Sequence, residues 1–448
     1  MIQVRRQPID TGVSGWQDVL PPRSPSPPLG EAITADLLII GGGFAGLAAL
    51  RRFNECEPEA SAVLLDASAI GDGPSGRNSG FMIDLPHDLA SSDYGGSRDR
   101  DRLVIAQNRE AVAFALAQRD ALAMPSEAVQ AVGKVNGAAT EKGVRHNTDY
   151  AAHLASLDEF SERLDARAMR DLTGTDYYLD GLYTPGTAML QPALYNRLLA
   201  DGTVAASGGR CRLFEHSGVS ELARAGGDWC ARTNHGQVTA PSVILAVNGH
   251  AASFGFYPRQ LLHVFTYAAM TRALSDRELR SLGGHGSWSL TPSDPMGTTV
   301  RRVDGTGGAR IVVRNRFTCD PSMEIDNARL ERVARTLRTS FVRRFPRLKA
   351  VAMEYVWGGR LCLSWNGVSA FSEPEPGLHL AVCQNGLGAA RGTLAGIAAA
   401  ERVARVNSAL ATHLEAEEEL KTLPPEPVAT LGANAVMRWN EFRAGREL

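Results

Sequence analysis

Residues 36–50 read DLLIIGGGFAGLAAL, and this stretch decides the fold. The continuous apolar run at 37–40 predicts a central strand of a parallel sheet, because such a strand is covered on both faces. Gly41 allows a tight turn, Gly43 lets the backbone approach a pyrophosphate, and Gly46 lets the next helix pack closely. The N-terminus of that helix would direct free N–H groups at the pyrophosphate. The stretch therefore predicts a dinucleotide-binding strand–helix unit.

A second strand and an acidic residue follow in the expected order. Residues 62–65 form another short apolar run, and Asp66 comes directly after it. A carboxylate about 20 residues beyond the glycine loop binds the ribose hydroxyl groups in dinucleotide folds. An ordinary glycine-rich turn is the alternative, but it does not account for strand, glycines, helix, second strand and acid together.

The length, net charge and cysteine pattern of the chain limit the classes of function. A chain of 448 residues favours two domains. Its net charge of -2 argues against a positively charged surface for nucleic acid and against a polybasic membrane anchor. The six cysteines are scattered without C-x-x-C spacing, so neither a metal site nor a disulfide framework is expected. No segment reaches about 18 unbroken apolar residues, and the N-terminus lacks an apolar signal region. These features predict a cytoplasmic protein without a membrane span.

The remaining chain alternates helix and strand patterns between less regular ends. Residues 1–33 are rich in proline and predict an extended arm, with a disordered tail as the alternative. Residues 406–448 are interpreted as a C-terminal tail. Periodicity predicts helices at 98–122, 149–164, from Pro192, at 327–341 and 389–403, and strands around Val219 and at 242–249, 261–271, 310–317 and 378–382.

Three further motifs make a family resemblance specific. They are GPSGRNSG at 73–80, WGGR at 357–360 and NGLG at 385–388, the last a glycine turn before a helix N-terminus. With the first glycine loop they occur in an order that resembles the D-amino-acid oxidase-like FAD oxidoreductases. Within these the chain looks most like the glycine, sarcosine and γ-glutamylputrescine oxidases, over roughly residues 30–405.

The resemblance implies an α/β architecture with a discontinuous Rossmann-like FAD-binding domain. A second, α+β domain with a mostly antiparallel sheet would cover the substrate. The implied FAD-binding domain comprises 34–97, 175–255 and 355–405, and the implied substrate domain comprises 98–174 and 256–354.

The resemblance also implies non-covalent FAD and its contacts. Asp66 would hold the adenosine ribose, Val219 would contact adenine through its backbone, and residues 386–390 would direct helix N–H groups at the flavin N1/C2-carbonyl edge. The implied cofactor-binding residues are Gly41, Gly43, Phe44, Ala45, Gly46, Asp66, Ala67, Ser75, Gly76, Arg77, Asn78, Ser79, Gly80, Phe81, Val219, Val247, Asn248, Gly249, Gly359, Arg360, Gly386, Leu387, Gly388, Ala389 and Ala390.

Substrate-positioning candidates lie on strands predicted to cover the flavin. They are Tyr267, Arg314 and Arg316. The two arginines are two residues apart and share a face on a regular strand, where a guanidinium can clamp a carboxylate. Solvent exposure at a strand end is the alternative interpretation. His87 follows the second loop and is a candidate for overhanging the flavin, although a hydrogen-bonded loop histidine is the commoner case.

The expected reaction is oxidation of an amine or amino acid to an imine by hydride transfer to flavin N5. Sarcosine-oxidase-like enzymes use a lysine near N5 to activate oxygen, but no lysine lies on the 310–317 strand. Two electron acceptors are therefore expected: O₂, as in an oxidase, or a quinone or other carrier, as in a dehydrogenase. Cys362 lies near the place where some relatives attach flavin covalently. An NAD(P)H-dependent flavin hydroxylase and a non-catalytic flavin- or nucleotide-binding module are the alternative functions.

Overall fold

The computed structural model describes residues 1–86 and 96–448, and His87 lies outside these ranges. Its strands are β1 (Ile2–Gln3), β2 (Ala32–Thr34), β3 (Leu37–Ile40), β4 (Ala62–Leu65), β5 (Phe81–Met82), β6 (Val129–Ala131), β7 (Lys134–Ala138), β8 (Glu162–Asp165), β9 (Asp180–Thr184), β10 (Ala188–Leu190), β11 (Cys211–Phe214), β12 (Glu221–Ala225), β13 (Asp228–Arg232), β14 (Gln237–Ala240), β15 (Ser242–Leu245), β16 (Leu262–Thr271), β17 (Trp288–Pro292), β18 (Thr299–Val303), β19 (Arg310–Cys319), β20 (Met353–Leu363), β21 (Ala370–Glu375) and β22 (Leu378–Val382). Its α-helices are α1 (Gly15–Asp18), α2 (Phe44–Cys56), α3 (Arg98–Ala121), α4 (Glu141–Ala155), α5 (Ala166–Thr173), α6 (Pro192–Ala206), α7 (Asp276–Leu282), α8 (Asn327–Arg344), α9 (Thr393–Val403), α10 (Ala409–Glu415) and α11 (Val428–Ala444).

The predicted central strand β3 lies within a six-stranded sheet of order β11-β4-β3-β15-β22-β21. The first five strands of this order are parallel, and β21 pairs antiparallel at one edge. Leu37 and Ile39 pack against α2 and α9, whereas Leu38 and Ile40 pack against a five-stranded sheet of order β1-β12-β13-β14-β2. Burial on both faces explains the unbroken apolar run and confirms the prediction made from it.

The glycines of the first loop permit close backbone contacts. Gly41 has φ +103°, a conformation that side-chain-bearing residues rarely adopt. A Cβ on Gly46 would lie 1.8 Å from the carbonyl oxygen of Gly41, and one on Gly396 would lie 2.0 Å from that of Ala45. Only glycine therefore allows α2 to approach its own loop and α9 to approach α2.

The second large sheet has eight strands in the order β20-β16-β19-β18-β17-β7-β9-β8. Its neighbours pair antiparallel except for the parallel pair β17–β7. Helix α8 covers one face through Leu337 and Phe341, which are fully buried with Ile311 and Val313 of β19. The mostly antiparallel second sheet is confirmed.

Two elements pack in the opposite domain from the one predicted: α3 was expected in the substrate domain and β9 in the FAD-binding domain. Helix α3 buries Ala111 and Ala115 in the same apolar cluster as Leu394 and Ala398 of α9, beside the six-stranded sheet. Strand β9 pairs with β7 and β8 in the eight-stranded sheet. Small side chains on α3 match those of α9, a long-range fit that periodicity along one helix does not reveal.

Three local predictions were wrong. The helix expected at 149–164 is α4, which begins after the N-cap Thr140, and residues 162–165 form β8. Val219 lies between β11 and β12 rather than in a strand. Strand β15 stops at Leu245, and a 3-10 helix begins at Asn248, which has φ +47°.

Both chain ends are built into the fold. Strand β1 pairs with β12, and Trp16 of α1 is only 2% exposed, so the N-terminal segment is not a disordered tail. The predicted C-terminal tail contains α10 and α11, and α11 packs on β19. In the described ranges we find no helix with the length and apolarity needed to cross a bilayer.

Candidate active site

Two adjoining cavities lie beyond the carboxyl ends of the parallel strands, where ligands bind in open α/β sheets. We call the first the nucleotide groove; Gly41, Asp66 and Val247 line it. We call the second the inner cavity; it lies between the loop that contains Ser79 and the strand that contains Arg314. Ser75, Asn248 and Arg360 line both cavities.

Most of the implied cofactor-binding residues lie on these walls. The nucleotide groove is lined by Gly41, Gly43, Asp66, Ala67, Ser75, Val219, Val247, Asn248, Gly249 and Arg360. The inner cavity is lined by Phe44, Ser75, Arg77, Asn78, Ser79, Phe81, Asn248, Gly359, Arg360, Gly386, Leu387, Gly388 and Ala389. Neither wall includes Ala45, Gly46, Gly76, Gly80 or Ala390. The structure thus gathers segments that are hundreds of residues apart, and five of the predicted residues lie behind them.

Asp66 is anchored at the end of β4. One carboxylate oxygen accepts a hydrogen bond from the Gly42 N–H at 2.6 Å, and the other accepts one from the Ser68 N–H at 2.7 Å. Desolvation raises the pKa of Asp66 to about 6, although both N–H donors oppose this shift. The residue faces the groove with its orientation set by backbone, which suits an acceptor for ribose hydroxyl groups.

We expect the affinity for FAD to fall as the pH drops below about 6. Ribose hydroxyl donors favour the charged carboxylate, so binding lowers the pKa of Asp66 from its raised value and releases a proton. Affinity is then constant well above pH 6 and falls by up to about tenfold per pH unit below it. Fluorescence titration of apoprotein with FAD between pH 5 and 8 measures this. Asp66→Asn should bind more weakly with a flat profile, and an unchanged slope in this variant would contradict the assignment.

The two glycine-rich loops meet at Ser75. Its hydroxyl oxygen accepts a hydrogen bond from the Phe44 N–H, the first of α2, at 3.1 Å. A Cβ on Gly43 would lie 2.6 Å from that oxygen. The helix N-terminus and the second loop therefore form one cradle of small residues, and a pyrophosphate fits such a cradle.

Arg77 ties the second loop to other segments. Its guanidinium donates to the carbonyl oxygens of Asp72 at 2.7 Å and Gly12 at 2.6 Å, and it is 6% exposed. The indole N–H of Trp357 donates to the Arg77 carbonyl oxygen at 2.9 Å. The guanidinium is therefore engaged by backbone carbonyl oxygens. Arg77 forms part of the cavity wall but does not direct a free charge at a ligand.

Arg360 lies where the two cavities join. It pairs with Asp10 of the N-terminal segment at 2.7 Å and donates to Nε2 of His250 at 2.8 Å. Burial, followed by the charge of Arg360, lowers the pKa of His250 to about 3, so the imidazole is neutral and accepts this bond. The contribution of Asp10 to the groove was not predicted, because nothing local in a proline-rich segment indicates it.

The inner cavity contains buried polar atoms that lack a partner. They are the hydroxyl oxygens of Thr266 and Thr299 and both polar atoms of the Gln384 side chain, which make no hydrogen bond in the described part of the chain. Buried polar groups are normally paired, so a bound polar ligand is expected to satisfy them. The polar edge of an isoalloxazine ring, with its carbonyl oxygens and ring nitrogens, has the required donors and acceptors.

The glycine turn before α9 opens with a π-helical segment at Gly388–Gly392, not with the predicted regular helix. The Arg391 N–H and the Ala390 N–H donate to the Leu387 carbonyl oxygen. Within residues 1–86 and 96–448, the N–H groups of Gly388 and Ala389 donate to no backbone carbonyl oxygen. Free N–H groups at a cavity wall suit the negative charge that a reduced flavin carries.

The three predicted substrate residues are not brought together. The register of β16 and β19 shifts between Thr266 and Tyr267, and Arg316 sits in the bulge with φ +60°. The alternation assumed for Arg314 and Arg316 fails at this bulge. Arg314 lines the inner cavity, whereas Arg316 pairs with Glu441 of α11.

Tyr267 lies on the opposite face of its strand. It is fully buried under α8, and its hydroxyl bonds with that of Thr318 at 2.5 Å. Thr266 and Phe317, which face each other across the strand pair, occupy the cavity wall instead. On β19, the bulge puts Phe317 rather than Arg316 on the cavity face, and the sequence around it contains no mark of this change.

Glu441 fastens this bulge from the C-terminal helix. It is 2% exposed; one oxygen accepts from the Phe317 N–H at 3.0 Å, and the other accepts from Arg316 and Arg438. The same carboxylate therefore holds the backbone of Phe317 at the cavity wall.

We expect Glu441→Gln to lower the free energy of unfolding by about 2 kcal/mol, because its carboxylate loses hydrogen bonds with charged partners while Arg316 and Arg438 remain partly exposed to solvent. Thermal unfolding of the holoprotein measures the change. Glu415→Gln is the matched control, since Glu415 pairs with Arg402 at the surface and its loss costs within about 1 kcal/mol. Equal destabilisation by the two variants would contradict the anchoring role of Glu441.

Cys362 lies on the wall of the inner cavity with 1% exposure. A hydrogen bond with Cys383, together with burial, raises the pKa of its thiol well above the ordinary value. The thiol is therefore neutral and a poor nucleophile.

We expect the flavin to be released completely when the protein is precipitated with acid. The measurement is the flavin absorbance of the supernatant compared with that of the pellet. Yellow pelleted protein that turns colourless in Cys362→Ser would show a covalent bond instead.

Comparisons with known proteins give the same fold and cofactor class. Residues 36–402 match the model of the DAO family, described as FAD dependent oxidoreductase. Gamma-glutamylputrescine oxidoreductase of Escherichia coli (strain K12) is 25% identical over 389 residues, covering 84% of this chain and 85% of that protein. The probable oxidoreductase OrdL of Rhizobium meliloti (strain 1021) is 23% identical over 385 residues, covering 83% and 84%.

Solved structures resemble the whole architecture. Glycine oxidase from Geobacillus kaustophilus superimposes with a TM-score of 0.69 at 18% identity, covering 84% of this chain and 96% of that one. L-amino acid deaminase from Proteus myxofaciens, in complex with anthranilate, gives 0.67 at 15% identity, covering 93% and 100%. These likenesses confirm the predicted α/β fold class.

Proposed function

The chain belongs to the FAD-dependent oxidoreductase family, and on this premise we propose that it oxidises the C–N bond of an amine or amino acid to an imine. FAD is its cofactor. The names of its relatives include a glycine oxidase, an L-amino acid deaminase and a gamma-glutamylputrescine oxidoreductase, which all act on nitrogen compounds. They support the proposed substrate class without specifying the substrate.

The observation that carries the proposal is the position of Arg314. Its Nε lies 3.3 Å from the hydroxyl oxygen of Ser79, on the loop opposite its strand, and its guanidinium lies 5.4 Å from the centre of the Phe317 ring. A guanidinium on a cavity wall beside a flavin-binding loop can hold a substrate carboxylate through two parallel hydrogen bonds. An α-amino acid held in this way would carry its C–H bond into the cavity.

Other residues of the inner cavity would orient the substrate and strengthen its ion pair with Arg314. Thr266 and Thr299 have unpaired hydroxyl groups at the cavity and can accept hydrogen bonds from a substrate amine. Phe317 lies beside Arg314 and would keep water away from the ion pair between Arg314 and the substrate carboxylate. Excluding water would strengthen this ion pair. FAD, when bound, supplies the hydride acceptor. Water then hydrolyses the released imine to a carbonyl compound.

Anaerobic flavin bleaching against amines and amino acids tests the proposal. We expect an amino acid to bleach the flavin of the purified holoprotein, and its decarboxylated amine to do so more slowly at equal concentration. Bleaching by NADPH with no response to any amine would favour a hydroxylase. Purified protein without flavin absorbance, even after incubation with FAD, would contradict an enzymatic role.

The rate at which the flavin recolours in the same experiment identifies the electron acceptor. Readmitting air should restore the flavin colour within seconds if O₂ is the acceptor. Slow recolouring that a quinone or an artificial carrier accelerates would identify a dehydrogenase.

A further inference from the structure

A third cavity lies on the eight-stranded sheet, toward the opposite ends of its strands from the inner cavity. We call it the cationic cavity; its walls include Trp16, Lys134, Trp288, Arg301 and Arg302. The proposed reaction makes no use of it.

Arg301 is a buried cation without a carboxylate partner. It is 7% exposed, its Nη1 donates to the carbonyl oxygens of Ser79 and Leu190 at 2.8 Å each, and its guanidinium lies 5.0 Å above the Trp16 ring. Its Nε has no hydrogen-bond partner, and it forms no ion pair, within the part of the chain that the structure describes. Burial lowers its pKa to about 9, which still leaves it charged near pH 7.

Lys134 is a second such cation. It is 2% exposed, and its ammonium group donates to the side-chain oxygens of Asn136 and of Thr291, the latter at 3.2 Å. Burial lowers its pKa to about 8. No carboxylate among the described residues hydrogen-bonds to it. The charge of Asp84 acts on Lys134 without a direct hydrogen bond. An anion in the cavity would add a directly paired counter-charge, which neither cation has among the described residues, and an unpaired buried charge is costly.

The acidic side chains at this cavity are already engaged. Glu127 accepts hydrogen bonds from the N–H and the hydroxyl group of Thr306, and Asp304 pairs with Arg302 at 3.6 Å. The lining includes four cations, with Arg310 as the fourth, against these two carboxylates, so positive charge is in excess. Apolar groups complete its lining, among them Val135, Met270 and Trp288.

We infer that the cationic cavity is a second ligand site, and that it binds an organic carboxylate with an apolar body. The carboxylate would lie between Arg301 and Lys134, and the apolar body would cover Trp16, Trp288 and the neighbouring aliphatic walls. Mostly apolar cavities with a few convergent charged groups bind amphipathic ligands of this kind. This site is independent of the proposed reaction.

The cationic cavity is separate from the inner cavity, but hydrogen bonds connect residues of their walls. Arg301 donates to the carbonyl oxygen of Ser79, and Lys134 donates to Thr291; both acceptor residues line the inner cavity. A ligand that attracts these cations would pull on two wall residues of the inner cavity. Its binding is therefore expected to alter the flavin absorbance slightly as well as the tryptophan fluorescence.

Hexanoate binding to the holoprotein tests the inference, with hexylamine and hexanol as matched controls. The test uses Arg314→Gln, in which the inner cavity has lost its own carboxylate-binding guanidinium. We expect hexanoate, but neither control, to raise the melting temperature of this variant and to change its tryptophan fluorescence saturably. Adding Trp288→Phe should remove much of the fluorescence change and so place the ligand in the cationic cavity. Inorganic phosphate should bind at least tenfold more weakly, because it has no apolar body.

Removing either cation should weaken hexanoate binding at least tenfold. Arg301→Gln and Lys134→Met each remove one cation in the Arg314→Gln background, and Arg301→Met replaces the first if it does not fold. Affinity unchanged in Lys134→Met and in the Arg301 variant that folds would overturn the inference. So would the absence of any hexanoate response in Arg314→Gln, or a phosphate affinity equal to that of hexanoate.

Discussion

Gly46→Ala is expected to yield a protein that no longer retains FAD. The added Cβ would lie 1.8 Å from the carbonyl oxygen of Gly41, a backbone atom that cannot turn aside like a side chain. Gly41 also lies close to the next strand, since a Cβ added to it would lie 2.7 Å from the Ala246 carbonyl oxygen. Overpacking of this kind costs about 3 kcal/mol, or about 100-fold in affinity if it acts on the FAD-binding loop. The ratio of flavin to protein absorbance after gel filtration measures the loss.

The matched control is Gly73→Ala in the second cofactor loop. Gly73 has φ -76°, and no atom lies within 4 Å of the Cβ that the substitution would add. This variant should retain FAD and keep the wild-type melting temperature within a few degrees. Full FAD retention by Gly46→Ala, or equal loss in both variants, would show that the tight contact at Gly46 is not required for binding.

Arg314→Gln is expected to lower kcat/KM for a carboxylate-bearing substrate by about a thousandfold, because losing a charged partner of a buried hydrogen-bonded pair costs about 4 kcal/mol. Most of the effect should be in KM if the guanidinium holds ground state and transition state equally. For the amine that lacks the carboxylate, kcat/KM should change by less than about threefold. Steady-state kinetics with the two substrates separate these outcomes.

Arg316→Gln distinguishes the role of Arg314 from a general effect of removing charge. Arg316 lies two residues further along the same strand but pairs with Glu441, away from the cavity. Its loss should lower the melting temperature while KM rises far less than in Arg314→Gln. If both variants raise KM equally, or if Arg314→Gln affects the amine and the amino acid alike, the carboxylate-binding role is wrong.

The FAD-binding half of the fold was predictable because its signals are local. The strand at Leu37–Ile40, the positive φ of Gly41 and the carboxylate of Asp66 lie within one strand–helix–strand unit. Each residue type there is required by its immediate neighbours: apolar side chains by burial on both faces, glycine by backbone contact. The later glycine loops were predicted only by resemblance, and the structure then placed most of their residues on the two cavities.

The substrate half was not predictable in the same way. Strands β16 and β19 were expected in nearly their observed positions, but the side chains that face the cavity depend on one bulge at Arg316. Period-two alternation cannot indicate an extra residue in a strand. Arg316 was therefore assigned to the cavity face, which Phe317 occupies instead. On β16, Tyr267 was assigned to the wrong face and Thr266 was missed, because only the packing of α8 shows which face is covered.

The sequence by itself determined that a dinucleotide binds, where its loop lies and that two sheets form. Only the tertiary structure decided that Asp10 reaches Arg360, that Glu441 holds the Phe317 backbone, and that Lys134 and Arg301 face one cavity. The physical reason is the distance along the chain between the partners. A glycine loop is specified by contacts among adjacent residues, whereas an ion pair or a shared cavity depends on segments that meet only when the sheets have packed.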